Sequence, residues 1–253
     1  TLLLLGFLAG MFIAFAAYSG TMAMHSVSST GPARVLGGAI FPVGLMLVIF
    51  LGAELFTGNC LISIAVMDKK VKAFDMLKNL GVVFLSNLLG ALFIVVLCYL
   101  SGLWNTSGGL LGAYTINTAL TKATLSPVSA ISSGILCNIL VCGSILVMTM
   151  STDMTGKIWG IFFTIMAFVV CGFEHSVANM YYLLAGLFAK LNPNYVNLAK
   201  ETYHLTSEQI DSLNIINCLE STFFVSLGNV IGGMLLSAIF FLIYKKLEKS
   251  KNA

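Results

Sequence analysis

Residues 172–180 read Gly172-Phe173-Glu174-His175-Ser176-Val177-Ala178-Asn179-Met180, and they lie inside an otherwise apolar run from Ile158 to Ala189. A carboxylate beside an imidazole is costly in hydrocarbon, so such residues normally face the interior of a helix bundle or an aqueous path. The run is 32 residues long, whereas about 20 residues cross a bilayer as a helix. It must either tilt steeply or break, and the polar cluster lies where a break would fall. The pattern predicts a broken helix at a permeation site.

The composition of the whole chain is that of a membrane protein. Hydrophobic residues make up 58% of the 253 residues, charged residues 9%, and the mean hydropathy is +0.97. A water-soluble domain cannot cover its surface with so few charges. The formal charge of +3 gives no indication of nucleic-acid binding, and the six cysteines include no CxxC pair. We therefore expect no disulfide framework, metal or other cofactor. Because the chain begins with Thr1 rather than Met, we expect a trimmed N-terminus.

Six apolar segments predict an all-α polytopic membrane protein with six transmembrane helices. They are Leu2–Met24, Val35–Met67, Leu80–Leu103, Val128–Met150, Ile158–Ala189 and Phe223–Tyr244. The runs are continuous rather than alternating, unlike the strands of a membrane barrel. The loop Ser101–Pro127 is rich in Gly, Ser and Thr, and Leu191–Ser221 is expected to be solvated and partly helical.

The distribution of Lys and Arg predicts the orientation in the membrane. Six spans put both termini and the second and fourth loops on one side. That side carries nine of the 13 basic residues, and the other side carries only Arg34, Lys122, Lys190 and Lys200. By the positive-inside rule, both termini are expected in the cytoplasm. We expect a multi-pass protein of the cytoplasmic membrane of a prokaryote.

Short internal matches indicate two copies of a three-helix unit. Gly52 to Asn59 matches Gly172 to Asn179 as G-x-E-x-x-x-x-N, Gly6-Phe7-Leu8 resembles Gly134-Ile135-Leu136, and Asn87-Leu88-Leu89-Gly90 resembles Asn229-Val230-Ile231-Gly232. Three spans per copy is an odd number, so the second copy enters the membrane from the opposite side. Such inverted repeats carry broken helices that meet at a transport site. We predict one channel domain over 1–253, with inverted repeats over about 1–103 and 128–246 and with broken second and fifth helices.

The repeated polar residues suit the ends of broken helices. Glu54 and Glu174 precede the second half-helices, where a carboxylate can accept backbone N–H bonds and complement the positive helix end. Asn59 and Asn179 can bond backbone groups that the same breaks set free. A proton relay through the glutamates is the functional alternative to this structural role. Thr57 can either cap the half-helix from Gly58 to Met67 or turn its hydroxyl toward the pore.

His175 differs from these residues, because its repeat mate is Leu55 and the scaffold does not require a polar group there. A buried imidazole is expected to be neutral and can donate to an anion or pass a proton to it. Two half-helix N-termini add positive potential, so the site favours a small anion over a cation. Phe41, Leu45 and Phe168 can form apolar constrictions, or they can be ordinary packing or lipid-facing side chains.

These motifs resemble the formate/nitrite transporter family over essentially the whole chain. The motifs are Glu54-Leu55-Phe56-Thr57-Gly58-Asn59, Gly172-Phe173-Glu174-His175 with Asn179-Met180, Cys137-Asn138, and Gly228-Asn229-Val230-Ile231-Gly232-Gly233. The resemblance implies an aquaporin-like protomer in a homopentamer with one pore per subunit. The general look of the chain is closest to the hydrosulfide branch, although no quoted residue decides the substrate.

The resemblance also implies roles for individual residues. His175 and Thr57 face the permeating anion, and Asn138, Asn179 and Asn229 resemble polar partners near it. The residues that resemble apolar slits are Phe41, Leu45, Leu55 and Phe168. Lys122 resembles a vestibule lysine that draws anions in, although an ordinary solvated loop charge is an equal alternative.

Together these features predict a passive channel for small monovalent anions of weak acids: formate, nitrite or hydrosulfide. It is not expected to be an enzyme. A neutral-solute channel of the aquaporin or ammonia kind is one alternative, but Asn192-Pro193-Asn194 is the only pattern near an Asn-Pro-Ala motif. A membrane redox protein that binds haem or metal through His175, with His25 or Cys171, is another. With three histidines in the chain, ligands for such a group are few.

Overall fold

The computed structural model describes residues 1–251, except for the side chains of Lys249 and Lys251, which entered the orientation argument above. Asn252 and Ala253 lie outside the described residues. Over this part the fold is helical, with helices α1 (Leu2–Met24), α2 (Thr30–Ile40), α3 (Pro42–Phe50), α4 (Ile62–Met67), α5 (Ala73–Leu100), α6 (Leu110–Ala123), α7 (Pro127–Met150), α8 (Met154–Cys171), α9 (Ser176–Ala189), α10 (Pro193–Tyr203), α11 (Ser207–Ser212) and α12 (Ile215–Lys251).

Six helices of the described chain are long and apolar enough to cross a membrane, as predicted. They are Leu2–Met24, Thr30–Phe50, Ala73–Leu100, Pro127–Met150, Met154–Cys171 and Ile215–Glu248. The second of them joins α2 and α3 at Phe41, where Pro42 begins α3 and lacks a backbone N–H to donate. The last one extends well beyond the predicted Phe223–Tyr244, because its polar ends continue the helix outside the apolar segment.

The second and fifth spans are broken, as predicted. Helix α3 ends at Phe50, and a shorter apolar helix follows over Gly58–Met67, which begins with a 3₁₀ turn. Helix α8 ends at Cys171, and α9 begins at Ser176. Gly172 turns the chain between them with a φ of +73°, a left-handed conformation that glycine adopts without strain.

The third loop contains a feature that its composition concealed. Helix α6 occupies 14 residues of the Gly/Ser/Thr-rich stretch and packs against α9 and α10. Its buried face includes Leu111, Ile116 and Ala119, and Gly186 of α9 lies against Ala119 without room for a side chain. The small residues that give this stretch the composition of a loop therefore allow α6 to pack closely against its neighbours. The fifth loop is partly helical, through α10 and α11, as expected.

Two helix pairs form the frame of the protein. Helices α1 and α5 pack closely where Gly90 lies against the Phe7 carbonyl, and α7 and α12 pack closely where Gly232 lies against the Ile135 carbonyl. Phe7 with Ile135, and Gly90 with Gly232, are residues that the internal matches align. Their equivalent contacts are compatible with two inverted repeats, and the inversion itself remains a prediction.

Candidate permeation site

The imidazole of His175 caps the second half of the broken fifth span. His175 precedes α9, and its Nδ1 accepts the backbone N–H of Ala178 at 3.0 Å. A side chain that accepts from the third residue of the helix satisfies one of the free N–H groups at the N-terminus. The capping role expected of Glu174 therefore belongs to its neighbour, and this fixes the direction of the ring.

The other ring nitrogen of His175 meets Thr57 from the first broken span. Nε2 lies 2.9 Å from the Thr57 hydroxyl, and both side chains are buried. Since Nδ1 accepts a hydrogen bond, a neutral ring carries its proton on Nε2 and donates it to the Thr57 oxygen. Of the two roles left open for Thr57, the structure shows the hydroxyl directed to this contact, because its side chain makes no capping bond to the half-helix.

Two asparagines satisfy the backbone groups that the breaks set free. Asn229 accepts the N–H of Ser176 at 2.8 Å, and its amide donates to the carbonyls of Glu174 at 3.0 Å and Gly134 at 2.8 Å. Asn87 makes the matching bonds in the other half, as its oxygen accepts from Phe56 at 3.0 Å and its amide donates to Glu54 at 3.0 Å and Gly6 at 2.7 Å.

The position of Asn229 corrects its expected role as a polar partner of the anion. All three of its hydrogen bonds go to backbone groups, and it is fully buried. Asn87 aligns with Asn229 in the internal repeat, although Asn87 was not among the predicted site residues. The matching positions of the two asparagines in the internal repeat were the signal in the sequence that both have the same structural role.

The paired glutamates accept from asparagine side chains rather than from helix N–H groups. Asn59 donates to Glu54 at 2.6 Å and to Asn79 at 2.8 Å. Asn179 donates to Glu174 at 2.7 Å in the same way. The expectation that these four residues bond the backbone of the breaks is therefore wrong. A carboxylate removed from water needs hydrogen-bond donors, and here the asparagine amides supply them.

Lys122 is not a free vestibule cation. Its ammonium donates to both carboxylate oxygens of Glu174, at 3.0 and 2.9 Å, and lies 5.0 Å from the centre of the Tyr182 ring. Its side chain is only 16% exposed. Helix α6, which the sequence analysis missed, brings Lys122 to this carboxylate, so most of the charge expected to attract anions is neutralised by Glu174.

Asn138 lies behind the site rather than in it. Its amide donates to the backbone carbonyls of Thr57 at 3.2 Å and Asn229 at 2.6 Å, and the residue is fully buried. It therefore holds the two halves of the protein together at the level of Thr57.

A cavity of about 360 Å³ leads to His175 from the side of the first and third loops. Phe41 and Phe168 line it, with ring centroids 5.4 Å apart in an edge-to-face contact, and the Phe168 ring lies 6.0 Å from the His175 ring. The two phenyl rings lie together on the cavity wall that also includes the imidazole, and their role as a constriction stays a prediction. Leu45 and Leu55 are buried but are not part of the cavity wall.

The cavity wall contains a second cation that the sequence analysis did not select. Arg34, on α2, is exposed, and the structure gives it no ion pair with any described carboxylate. Its guanidinium lies over Gly172, where a Cβ atom would be 3.2 Å from Cζ. The sequence contained one hint, since Arg34 is the only arginine in the chain.

Three features define a membrane transport protein. Six helices are long and apolar enough to span a membrane, two of these spans are broken and their inner ends meet at the buried pair Thr57 and His175, and a cavity leads to the imidazole of this pair. The chain belongs to the formate/nitrite transporter family, since the Formate/nitrite transporter model matches residues 1–243. This confirms the resemblance that the motifs indicated and places the protein among transporters rather than enzymes.

Named relatives extend over most of the chain. It is 35% identical to a probable formate transporter of Methanothermobacter thermautotrophicus, over 93% of this chain and 85% of the relative. It is 33% identical to the formate channel FocA of Escherichia coli K12, over 93% and 84%. A solved structure described as a pentameric formate channel with formate bound matches with a TM-score of 0.86 and 28% identity, over 96% of each chain.

These findings decide between the alternatives left open by the sequence. The chain belongs to a transporter family for formate and nitrite, and this finding argues against the two alternatives, the neutral-solute channel and the redox protein. Both ring nitrogens of His175 make hydrogen bonds within the protein. The two relatives and the solved structure are all named for formate, so the expected closeness to the hydrosulfide branch remains a prediction.

Proposed function

We propose that this protein is a passive channel for small monovalent anions of weak acids, with formate as the first candidate and nitrite and hydrosulfide as the others. The observation that carries the proposal is the contact between Thr57 and His175 at the two helix breaks. The names of the relatives and of the matching structure support formate.

The contact makes Thr57 the donor that an anion meets. The Thr57 oxygen accepts the Nε2 proton of a neutral His175, and its own proton has no other acceptor among the described residues. An anion that has passed Phe41 and Phe168 loses part of its hydration and gains this hydroxyl as a donor. The N-termini of α9 and of the half-helix Gly58–Met67 add positive potential at the same place.

The capping bond favours hydrogen bonding over proton transfer at His175. A neutral imidazole that gave its Nε2 proton to an anion would be left with a negative charge in a buried site. A relay would first need a proton on Nδ1, but Nδ1 faces the Ala178 N–H and would lose that bond. In place of the two roles left open for His175, donation to the anion and proton transfer to it, we propose that the imidazole orients the Thr57 donor.

Anion flux into liposomes that contain the protein tests the proposal, with formate, nitrite and hydrosulfide compared. His175→Asn keeps an acceptor suited to an N-cap but removes the ring, and we expect it to lower flux about tenfold, the loss of one useful hydrogen bond. His204→Asn is the matched control, because His204 is exposed and has a φ of +55°, which Asn tolerates. No flux of any of the three anions through folded protein would overturn the proposal.

We further propose a homopentamer in the cytoplasmic membrane of a prokaryote, with one pore in each subunit. The solved relative is described as pentameric. Exposed apolar side chains on the outer face of α5, such as Leu85, Leu89 and Phe93, suit lipid or a neighbouring subunit. Native mass spectrometry of the purified protein is expected to show five chains per particle, and a monomer in mild detergent would contradict the assembly.

A further inference from the structure

The charge of the cavity comes from Arg34 rather than from Lys122. The cavity wall holds Arg34, Lys122, Glu174 and the neutral His175. Lys122 and Glu174 form a bidentate pair, so their charges largely cancel for an ion in the cavity. The cation that remains uncompensated is the guanidinium at the outer end of the break.

The structure holds this guanidinium in a defined place. It lies against Gly172, where any side chain would meet its Cζ and Nη atoms at 3.2 to 3.3 Å. Gly172 ends α8, and the last carbonyls of this helix carry the negative end of the helix dipole. A cation is stabilised there without a carboxylate partner, so its N–H groups remain available to a ligand.

The wall of the cavity formed by α6 presents further polar groups. Tyr114, Asn117, Thr118 and Thr121 all line the cavity, and their spacing of three, four and seven residues places them on one face of the helix. The opposite face of α6 is the apolar one that packs on α9. Hydroxyl and amide groups of this face suit hydration or hydrogen bonding of a small anion.

We propose that Arg34 and the polar face of α6 form an outer binding site for a planar oxyanion, which an ion occupies before it passes Phe41 and Phe168. The proposal rests on the proposed channel function and names its preferred ligand class. A guanidinium presents parallel N–H donors that match two oxygen atoms held in one plane, as in formate and nitrite. Hydrosulfide and halides lack this pair of oxygens, so the site favours carboxylate-like anions over them.

Formate flux into liposomes tests this site, with chloride as a spherical competitor. We expect Arg34→Gln to raise the half-saturating formate concentration about tenfold and to leave the maximal flux within about twofold. Arg34→Lys keeps the charge but not the planar donors, so we expect a rise of about threefold for formate and an unchanged half-inhibitory concentration of chloride. Lys200→Gln is the matched control, since it removes a cation from the same face outside the cavity.

The outcomes separate this site from the channel function itself. Absent flux of formate, nitrite and hydrosulfide through the folded wild-type protein overturns the proposed function. Wild-type flux together with an Arg34→Gln half-saturation within twofold of the wild type overturns the outer site. Equal formate behaviour of Arg34→Lys and the wild type overturns the oxyanion preference, because a point charge then suffices.

Discussion

At the centre of the protein, the side chain of Thr57 turns away from the helix that it precedes and meets an imidazole 118 positions further along the chain. The imidazole is held by the backbone of α9, so its ring cannot turn without loss of the Ala178 bond. The two residues thus form a rigid unit, in which the hydroxyl proton of Thr57 remains available for donation to an anion. The side-chain amides of Asn138 and Asn229, which lie nearby, donate instead to backbone carbonyls.

We predict that anion flux depends on the hydroxyl of Thr57. Thr57→Val keeps the shape but removes the donor, and we expect formate flux to fall about tenfold, which corresponds to about 1.4 kcal/mol at the barrier. Thr57→Ser keeps the hydroxyl and is expected to retain most of the flux. Stopped-flow uptake into liposomes measures both variants.

Thr149→Val is the control for this change, because Thr149 is exposed and bonds only its own helix at Leu146. Undiminished flux in Thr57→Val would show that the anion does not use this donor. Equal losses in Thr57→Val and Thr149→Val would indicate a general effect on folding.

At the scale of helices, the breaks depend on how closely their neighbours approach. Asn87 reaches both Gly6 of α1 and the broken second span, and Asn229 does the same between α7 and the broken fifth span. These hydrogen bonds form only if the backbones pack without intervening side chains. This holds for α1 against α5 and for α7 against α12. Glycines at the crossing points permit this.

The element-scale prediction compares two glycines of α5. A Cβ at Gly90 would overlap the Phe7 carbonyl of α1, whereas a Cβ at Gly81 meets nothing within 4 Å. We expect Gly90→Ala to lower the free energy of unfolding by about 1–3 kcal/mol, a typical result of overpacking. Gly81→Ala is expected to be neutral or to stabilise by up to about 1 kcal/mol, the difference in helix propensity.

Thermal unfolding in detergent, followed by circular dichroism, measures this comparison. Because both changes lie in the same helix and add the same methyl group, they differ only in their surroundings. Equal unfolding temperatures of the two variants would contradict the close approach of α1 and α5.

In the molecule as a whole, the cavity lies on the side of the protein that carries fewer basic residues. Its wall contains two of the four basic residues of the less basic side, Arg34 and Lys122. Under the proposed orientation, with both termini in the cytoplasm, the cavity opens to the outside. An anion that enters the cell would then meet Arg34 before the phenyl rings.

Reporter fusions test this orientation. Green fluorescent protein attached to the C-terminus is expected to fluoresce, and alkaline phosphatase at the same place is expected to be inactive, because the positive-inside rule keeps this end in the cytoplasm. Phosphatase inserted after Asn194 is the control and is expected to be active. The reverse pattern would place the nine basic residues outside and overturn the proposed direction of the cavity.

The sequence by itself determined the spans, the two breaks and the polar residues at them, because the cost of a polar group in hydrocarbon is local and can be read residue by residue. Only the tertiary structure decided the partners: Asn87 and Asn229 with the free backbone groups, Lys122 with Glu174, and Arg34 in the cavity wall. Helix α6 was concealed because its small residues have the composition of a loop until they are seen against α9. A hydrogen bond between residues 81 or 118 positions apart depends on how closely whole helices approach, and no local pattern contains that distance.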